Sequence, residues 1–132
     1  MKKKFSTLWK SSRQRRKQRK YFFNAPLHLK RKFLAANLSK ELRKKYHRRS
    51  LQLRKSDIVR IMRGEFRNKK GKIAEIDAKR MKVYVEGIQI SRKDGTKVNV
   101  PLKPSKLQIL ELNLDDKKRL QSVERKLKEA KK

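Results

Sequence analysis

The chain contains no cysteine, four glycines, three prolines and only 12 acidic residues against 43 lysines and arginines. The missing cysteines exclude disulfides and thiolate metal sites. His28 and His47 alone are a weak ligand set, so we expect neither a metal nor a cofactor. No stretch approaches the roughly 18 apolar residues of a transmembrane helix, so we expect no membrane insertion. The net charge of +31 predicts a polyanionic partner, and nucleic acid fits better than a membrane surface because the basic segments lack a wide apolar face.

Positive charge is concentrated in the first part of the chain. Residues 1–55 carry 21 lysines and arginines and a single acid, whereas residues 56–132 carry 22 and 11. Residues 1–20 contain too little apolar material to fold alone, and we interpret them as a basic tail. An acid-free, arginine-rich start is also typical of a cleaved mitochondrial presequence, which is the alternative interpretation of this segment. The candidate RNA contacts in the tail are Arg13, Arg15, Arg16, Lys17, Arg19 and Lys20.

Residues 21–53 are predicted to form a basic helical extension. Pro26 favours a helix start because its missing amide has no partner in the first turn, and Leu27, Leu34 and Leu38 recur at roughly helical spacing. Ser39 is expected to cap a second short helix. The cations here can be a solvated surface, but with a single compensating acid we favour RNA contact. These candidates are Lys30, Arg31, Lys32, Arg43, Lys44, Lys45, Arg48 and Arg49.

From residue 54 to residue 114 the pattern becomes that of short β-strands. Strands are predicted near residues 57–62, 72–77, 81–85, 97–100 and 107–110, and five short strands with tight turns are typical of a small barrel. Asp94-Gly95 supplies the turn of a hairpin. Residues 115–132 open with two acids and end in lysines, which suits the dipole of a C-terminal helix. The predicted fold is therefore mainly β, with helical extensions.

The most informative segment is the cationic loop after the first predicted strand, residues 62–73. Gly64 and Gly71 are expected to adopt positive φ at little steric cost, and Asn68 tolerates the same region, so the chain can turn tightly. Arginine offers phosphate a planar fork and lysine a compact charge. The candidate phosphate contacts are Arg63, Arg67, Lys69, Lys70 and Lys72.

Catalytic interpretations are weak throughout the chain. Asp115 and Asp116 are better explained as acids at the start of a helix. His28 and His47 have no partnered nucleophile or acid pattern nearby. Gly71 is followed by Lys72 and Ile73 rather than by the Lys-Ser/Thr of a phosphate-binding P-loop. We therefore expect no enzymatic activity.

Several motifs together resemble one known family. Residues 57–77 look like a KOW motif, which is shared with transcription elongation factors. The ordered set covering about residues 15–116 is more specific, and it resembles the universal twenty-four family of large-subunit ribosomal proteins in its archaeal and eukaryotic branch. This set is Asn24-Ala25-Pro26-Leu27-His28, Leu38-Ser39-Lys40-Glu41-Leu42-Arg43, Val83-Tyr84-Val85-Glu86-Gly87, Asp94-Gly95-Thr96 and Pro104-Ser105-Lys106.

The resemblance implies an SH3-like barrel with a basic extension, located in the cytoplasmic ribosome. It implies docking on the 5′ region of large-subunit rRNA early in assembly, near the nascent-chain exit, beside other ribosomal proteins and without a homo-oligomer. The match to the KOW motif implies that Gly64 and Gly71 shape the KOW loop, and that the cations of this loop contact the RNA backbone. The implied RNA-facing turn of the extension contains Tyr21, Asn24, Pro26 and His28. A KOW-containing elongation factor or a nonspecific nucleic-acid packaging protein are the alternatives.

Aromatic residues near the start of the chain are candidates for stacking on unpaired bases. They are Trp9, Tyr21, Phe22 and Phe23. Packing against the barrel is the competing role for Phe22 and Phe23, and we expect it for at least one of them.

Overall fold

The computed structural model describes residues 5, 6, 8 and 12–130, with side chains described as far as residue 125. Within these residues, no helix is both long and apolar enough to cross a membrane. The helices are α1 (Arg15–Asn24), α2 (Leu27–Phe33), α3 (Lys40–Tyr46) and α4 (Lys117–Ala130). The strands are β1 (Ala35–Leu38), β2 (Ser50–Gln52), β3 (Ile58–Ile61), β4 (Lys70–Asp77), β5 (Lys82–Val85), β6 (Gln89–Ser91), β7 (Lys97–Asn99) and β8 (Leu107–Glu111).

Six of the strands form one sheet in the order β2-β1-β8-β3-β4-β5. The pair β1–β8 is parallel and the other pairs are antiparallel. Beyond β5, Val83 and Leu102 exchange two backbone hydrogen bonds of 2.9 Å. Leu102 leads through a 3₁₀ turn, Pro104–Lys106, directly into β8. The sheet therefore curls back towards its own middle, and the predicted small β-barrel with helical extensions is confirmed.

The core lies on the inner face of this curled sheet. Burial alternates along β1, β3 and β5, as it must when successive side chains point to opposite faces. The buried positions of these strands are all aliphatic, whereas the outward positions include Asn37, Arg60 and Lys82. The most deeply buried of these core residues are Leu38, Val59, Ile61, Ile73, Val83, Val85, Leu107 and Ile109.

Two strands occupy a segment that we predicted to be helical. Leu34 and Leu38 do not continue a helix: α2 ends at Phe33, and Leu38 is the last residue of β1. The prediction is wrong because β1 pairs with β8 near the other end of the chain, and such long-range pairing overrides a local helical spacing. The cap by Ser39 is confirmed, since its hydroxyl oxygen accepts a hydrogen bond of 3.3 Å from the backbone amide of Leu42.

The N-terminal helix also differs from expectation. α1 begins at Arg15, inside the segment that we interpreted as a basic tail, and none of its residues is buried. Pro26 immediately precedes α2 with extended backbone angles, φ −64° and ψ 159°, so it stands one residue before the first helical position that we assigned to it.

The hairpin around Asp94 forms as predicted but stands apart from the barrel. The Arg92 amide donates to the Thr96 carbonyl at 2.9 Å, and Gly95 has φ +82°. A hydrogen bond from the Thr96 hydroxyl, followed by one from its amide, holds the pKa of Asp94 below its usual value. We predicted that residues 97–100 form a strand of the barrel. This prediction is wrong, because β7 pairs with β6 in a separate two-stranded sheet.

Gly71 allows β4 and β5 to approach each other closely. A Cβ atom at Gly71 would lie 2.6 Å from Val85 Cγ1 and 2.9 Å from the carbonyl oxygen of Glu86, shorter than real Cβ contacts allow. Gly71 does not have positive φ and lies inside β4, so our prediction of its backbone conformation is wrong. The close approach of β4 and β5 requires a residue without a side chain at position 71.

A buried ion pair attaches α4 to the barrel. Asp57 is fully buried and Arg119 is 6% exposed. The guanidinium of Arg119 donates to both carboxylate oxygens of Asp57, at 2.6 and 2.8 Å. Asp57 also accepts from the backbone amides of Arg54 at 2.8 Å and Asn113 at 2.9 Å. Arg119 donates further to the carbonyls of Asn113 and Gln52, so one ion pair connects α4 with the segments around β2, β3 and β8.

Replacement of Asp57 by asparagine should destabilise the protein by about 3–5 kcal/mol, because it leaves the charge of Arg119 buried without its counter-ion. The free energy of unfolding from urea titration measures this loss. Asp115→Asn is the matched control, since Asp115 is exposed, and it should change stability by less than about 0.5 kcal/mol. A loss below about 1 kcal/mol for Asp57→Asn would mean that the pair does not hold α4 in place.

Replacement of Gly71 by alanine should destabilise the protein by about 1–3 kcal/mol through overpacking against β5. The Val85→Ala background removes one of the two clashing atoms, so the effect of Gly71→Ala should be smaller there. A double-mutant cycle of unfolding free energies measures this coupling. Purely additive effects would contradict the close contact between Gly71 and Val85.

Candidate nucleic-acid interface

The loop between β3 and β4 has the tight geometry that its sequence predicts. Gly64 has φ +101° and Asn68 has φ +68°. The Arg67 amide donates to the Gly64 carbonyl at 3.0 Å, and the Asn68 amide donates to the Ile61 carbonyl at 2.8 Å. A glycine and an asparagine thus occupy left-handed positions in this loop, because these residues adopt them at the lowest steric cost.

The cations assigned to this loop divide between the loop and the strand that follows it. Arg63, Arg67 and Lys69 lie in the loop, and Lys69 Nζ is 5.1 Å from the centre of the Phe66 ring. Lys70 and Lys72 lie in β4, where alternate positions share one face of the sheet. All five side chains are exposed. The structure therefore places the loop and the outer face of β4 next to each other as one basic surface.

Arg60 is a further cation on this surface that our sequence analysis missed. It lies opposite Lys70 on β4 and opposite Gln108 on β8, and its guanidinium donates to Gln108 Oε1 at 2.6 Å. The alternation of residues along β3 could have identified Arg60 in the sequence. Val59 and Ile61 point inward, so Arg60 between them points outward. Two cations directly opposite each other on neighbouring strands repel, and Glu41 and Glu111 line the same depression as Arg60 and Lys70.

An aromatic cluster connects α1 with α2. The Phe22 and Phe33 rings are 4.8 Å apart in an edge-on arrangement, and Tyr21 lies 6.1 Å from Phe33 and 5.0 Å from Phe5. The ring of Phe22 contacts Tyr21 and Phe33 on the helices and Phe22 is 42% exposed, so the expected packing of Phe22 or Phe23 against the barrel is not confirmed. Phe23 is 81% exposed and remains a candidate for base stacking. Trp9 lies outside the described residues.

The candidate contacts on α1, α2 and α3 are exposed or half-buried. Three of them also make hydrogen bonds within the protein: Arg43 Nε donates to the Leu38 carbonyl at 2.9 Å, and Lys30 Nζ lies 3.4 Å from the Lys79 carbonyl. Both terminal nitrogens of Arg48 lie 3.4 Å from the Ser122 hydroxyl. The exposed candidates are Arg13, Arg15, Arg16, Lys17, Arg19, Lys20, His28, Arg31, Lys32, Lys44, Lys45 and Arg49; Tyr21, Asn24, Lys30, Arg43 and Arg48 are half-buried.

The carboxylates of the described residues form no ion pair with the candidate cations of this surface. Among the described residues the ion pairs are Arg54–Asp116, Arg80–Asp77 and Arg119–Asp57. None of them includes a candidate RNA contact. The cations of the loop and of the three N-terminal helices thus keep their charge for an external anion.

Comparisons with known proteins agree on one family. The family model that describes the eukaryotic L26 and archaeal L24 ribosomal proteins matches residues 12–126. Large ribosomal subunit protein uL24 of Methanothrix thermoacetophila is 47% identical over 108 residues, which are 82% of this chain and 93% of that protein. The protein of the same name from Korarchaeum cryptofilum is 46% identical over 110 residues, 83% and 84% of the two chains. The chain therefore belongs to the uL24 family of large-subunit ribosomal proteins.

Proposed function

We propose that this protein binds the 5′ region of large-subunit rRNA, takes part in early assembly of the subunit and lies near the nascent-chain exit. Membership of the uL24 family makes it a structural component of the large ribosomal subunit, located in the cytoplasm, and not an enzyme. The observation that supports RNA binding most strongly is the basic surface without carboxylate partners among the described residues.

Electrostatics supplies the affinity in this proposal. Each phosphate that a lysine or arginine neutralises releases condensed counter-ions, which favours binding and makes it salt-dependent. A cation already paired with a carboxylate would have to exchange one anion for another and would gain less. The candidate lysines and arginines take part in none of the ion pairs found among the described residues, and this is the state that favours phosphate binding.

The barrel supplies shape selectivity. Double-stranded RNA is recognised mainly through its shape and its backbone, so the spacing of the protein's cations has to be held constant. Hydrogen bonds within the loop hold Gly64, Arg67 and Asn68, and the ladder between β3 and β4 holds Arg60 opposite Lys70. A rigid array of this kind fits one folded RNA arrangement better than another.

Neighbouring ribosomal proteins are further proposed partners, and we propose no homo-oligomer. The net charge of +31 opposes self-association until RNA neutralises it. The exposed apolar pair on the hairpin, Ile90 at 49% and Val98 at 36%, is suited to a protein contact within the subunit.

Competition binding tests the proposal directly. The protein is bound to an RNA of the large-subunit 5′ region at near-physiological salt, and unrelated duplex RNA and DNA are added at equal phosphate. Retained binding to the ribosomal RNA is the expected result. Equal displacement by every polyanion would leave a nonspecific packaging protein and overturn the proposal.

The triple variant Lys69→Ala, Lys70→Ala, Lys72→Ala should bind this RNA more weakly and with a shallower salt dependence. The slope of log K against log salt should fall by up to about 0.7–0.9 for each lost phosphate contact. The control variant Lys93→Ala, Lys97→Ala, Lys103→Ala removes the same charge from exposed positions outside the candidate set. If both variants lower the slope equally, the KOW loop has no special role in binding.

A further inference from the structure

A cleft of about 350 Å³ lies between the sheet edge and the C-terminal helix. Ser50 of β2 forms one wall, Arg48 lies just before that strand, and Lys118, Arg119 and Ser122 of α4 form the other wall. A volume of this size is at the lower end of small-ligand sites. The cleft is separate from the KOW loop, whose residues do not line it.

The lining of the cleft is strongly cationic. It contains Arg48, Arg54, Lys118 and Arg119, and none of its nine residues is acidic. Two of these cations are already neutralised, since Arg54 pairs with Asp116 at 2.6 Å and Arg119 pairs with Asp57. Arg48 donates to the neutral hydroxyl of Ser122, and neither Arg48 nor Lys118 takes part in the ion pairs found among the described residues. The cleft therefore retains two positive charges.

Hydrogen-bond donors complement these charges. Ser50 and Ser122 each contribute a hydroxyl to the lining. Arg49 and Leu53 pair with β1 through their backbone groups, so the alternation of an antiparallel ladder turns the backbone of Ser50 towards the open edge. The Gln52 carbonyl, on the same edge, accepts a hydrogen bond of 3.1 Å from Arg119. The backbone amide of Ser50 is thus available at the side of the sheet that α4 covers.

The geometry of the cleft exists before any ligand binds. The ion pair of Arg119 with Asp57 fixes α4 against the sheet, and Lys118 is the preceding residue of the helix. Lys118 and Ser122 are four residues apart and therefore share one face of α4. A helix already fixed in place lowers the ordering cost of binding an anion, because only the side chains have to be immobilised.

We propose that this cleft binds a phosphate of the RNA backbone, held by Arg48, Lys118 and the hydroxyls of Ser50 and Ser122. A phosphodiester offers the tetrahedral set of acceptor oxygens that two cations and several donors satisfy together. The proposal rests on the proposed RNA-binding function and extends the interface to the C-terminal helix, where our sequence analysis placed no RNA contact.

Titration with inorganic phosphate at constant ionic strength tests the cleft without RNA. Amide shifts in a ¹H–¹⁵N spectrum are expected at Ser50, Lys118 and Ser122. They should be lost in the double variant Arg48→Ala, Lys118→Ala and retained in Lys117→Ala, which removes one charge from the adjacent exposed position. Because Lys118 is exposed, Lys118→Ala alone serves as the test if the double variant unfolds. Absence of shifts, or shifts confined to other residues, would overturn the proposal.

Salt-dependent binding of the 5′-region rRNA tests whether the occupant is RNA. The double variant should lower the slope of log K against log salt by about 0.7–0.9, the value for one phosphate, and Lys117→Ala should leave it unchanged. A phosphate response with an unchanged RNA slope would assign the cleft to free phosphate and overturn the RNA assignment. If the wild-type protein showed no preference for the rRNA over unrelated duplex RNA and DNA, the proposed function would be rejected. The phosphate titration would still test whether the cleft binds phosphate.

Discussion

The ion pair between Asp57 and Arg119 is the interaction on which the arrangement of this small protein depends. Its carboxylate holds the backbone before β3 and after β8, and its guanidinium holds the carbonyl of Gln52 on β2. Within the described residues, Arg119 Nε is the buried side-chain nitrogen without a hydrogen-bond partner. A buried pair of this kind adds little net stability, but the loss of one partner is strongly destabilising. The contribution of the pair is positional: it determines where α4 lies, and hence the walls of the cationic cleft.

Local rules predicted the parts of the fold that depend on neighbouring residues. The Ser39 cap, the Asp94-Gly95 turn and the positive φ of Gly64 each follow from the side chain at the position itself. Such rules could not predict features that depend on residues far apart in the sequence. The strand β1 pairs with β8 and β2 pairs with β1, and the Asp57–Arg119 pair joins residues 62 positions apart. Gly71 shows the same limit, because it is needed for the contact with Val85 and not for a turn.

The candidate interface follows the same division. Exposed cations are visible in the sequence because an acid-poor segment has few carboxylates with which to pair, and the structure leaves these candidates without ion pairs among the described residues. Arg60 and the cleft were missed because their significance comes from which residues lie opposite each other. Composition predicts that a surface is basic, whereas topology decides which of its charges meet in one place.

The parallel pairing of β1 with β8 also means that β1 is synthesised well before its partner strand. Asn37 and Gln108, which are partners in this pair, are 71 positions apart (108 − 37), and synthesis at about 5–20 residues per second separates them by roughly 4–14 s. During that interval β1 has an unpaired edge, which is a template for unwanted pairing with other chains. Arg43, Lys44 and Lys45 follow that strand closely. Like charges on neighbouring nascent chains repel each other, so we expect the cations that we propose to bind phosphate also to oppose aggregation through the open edge.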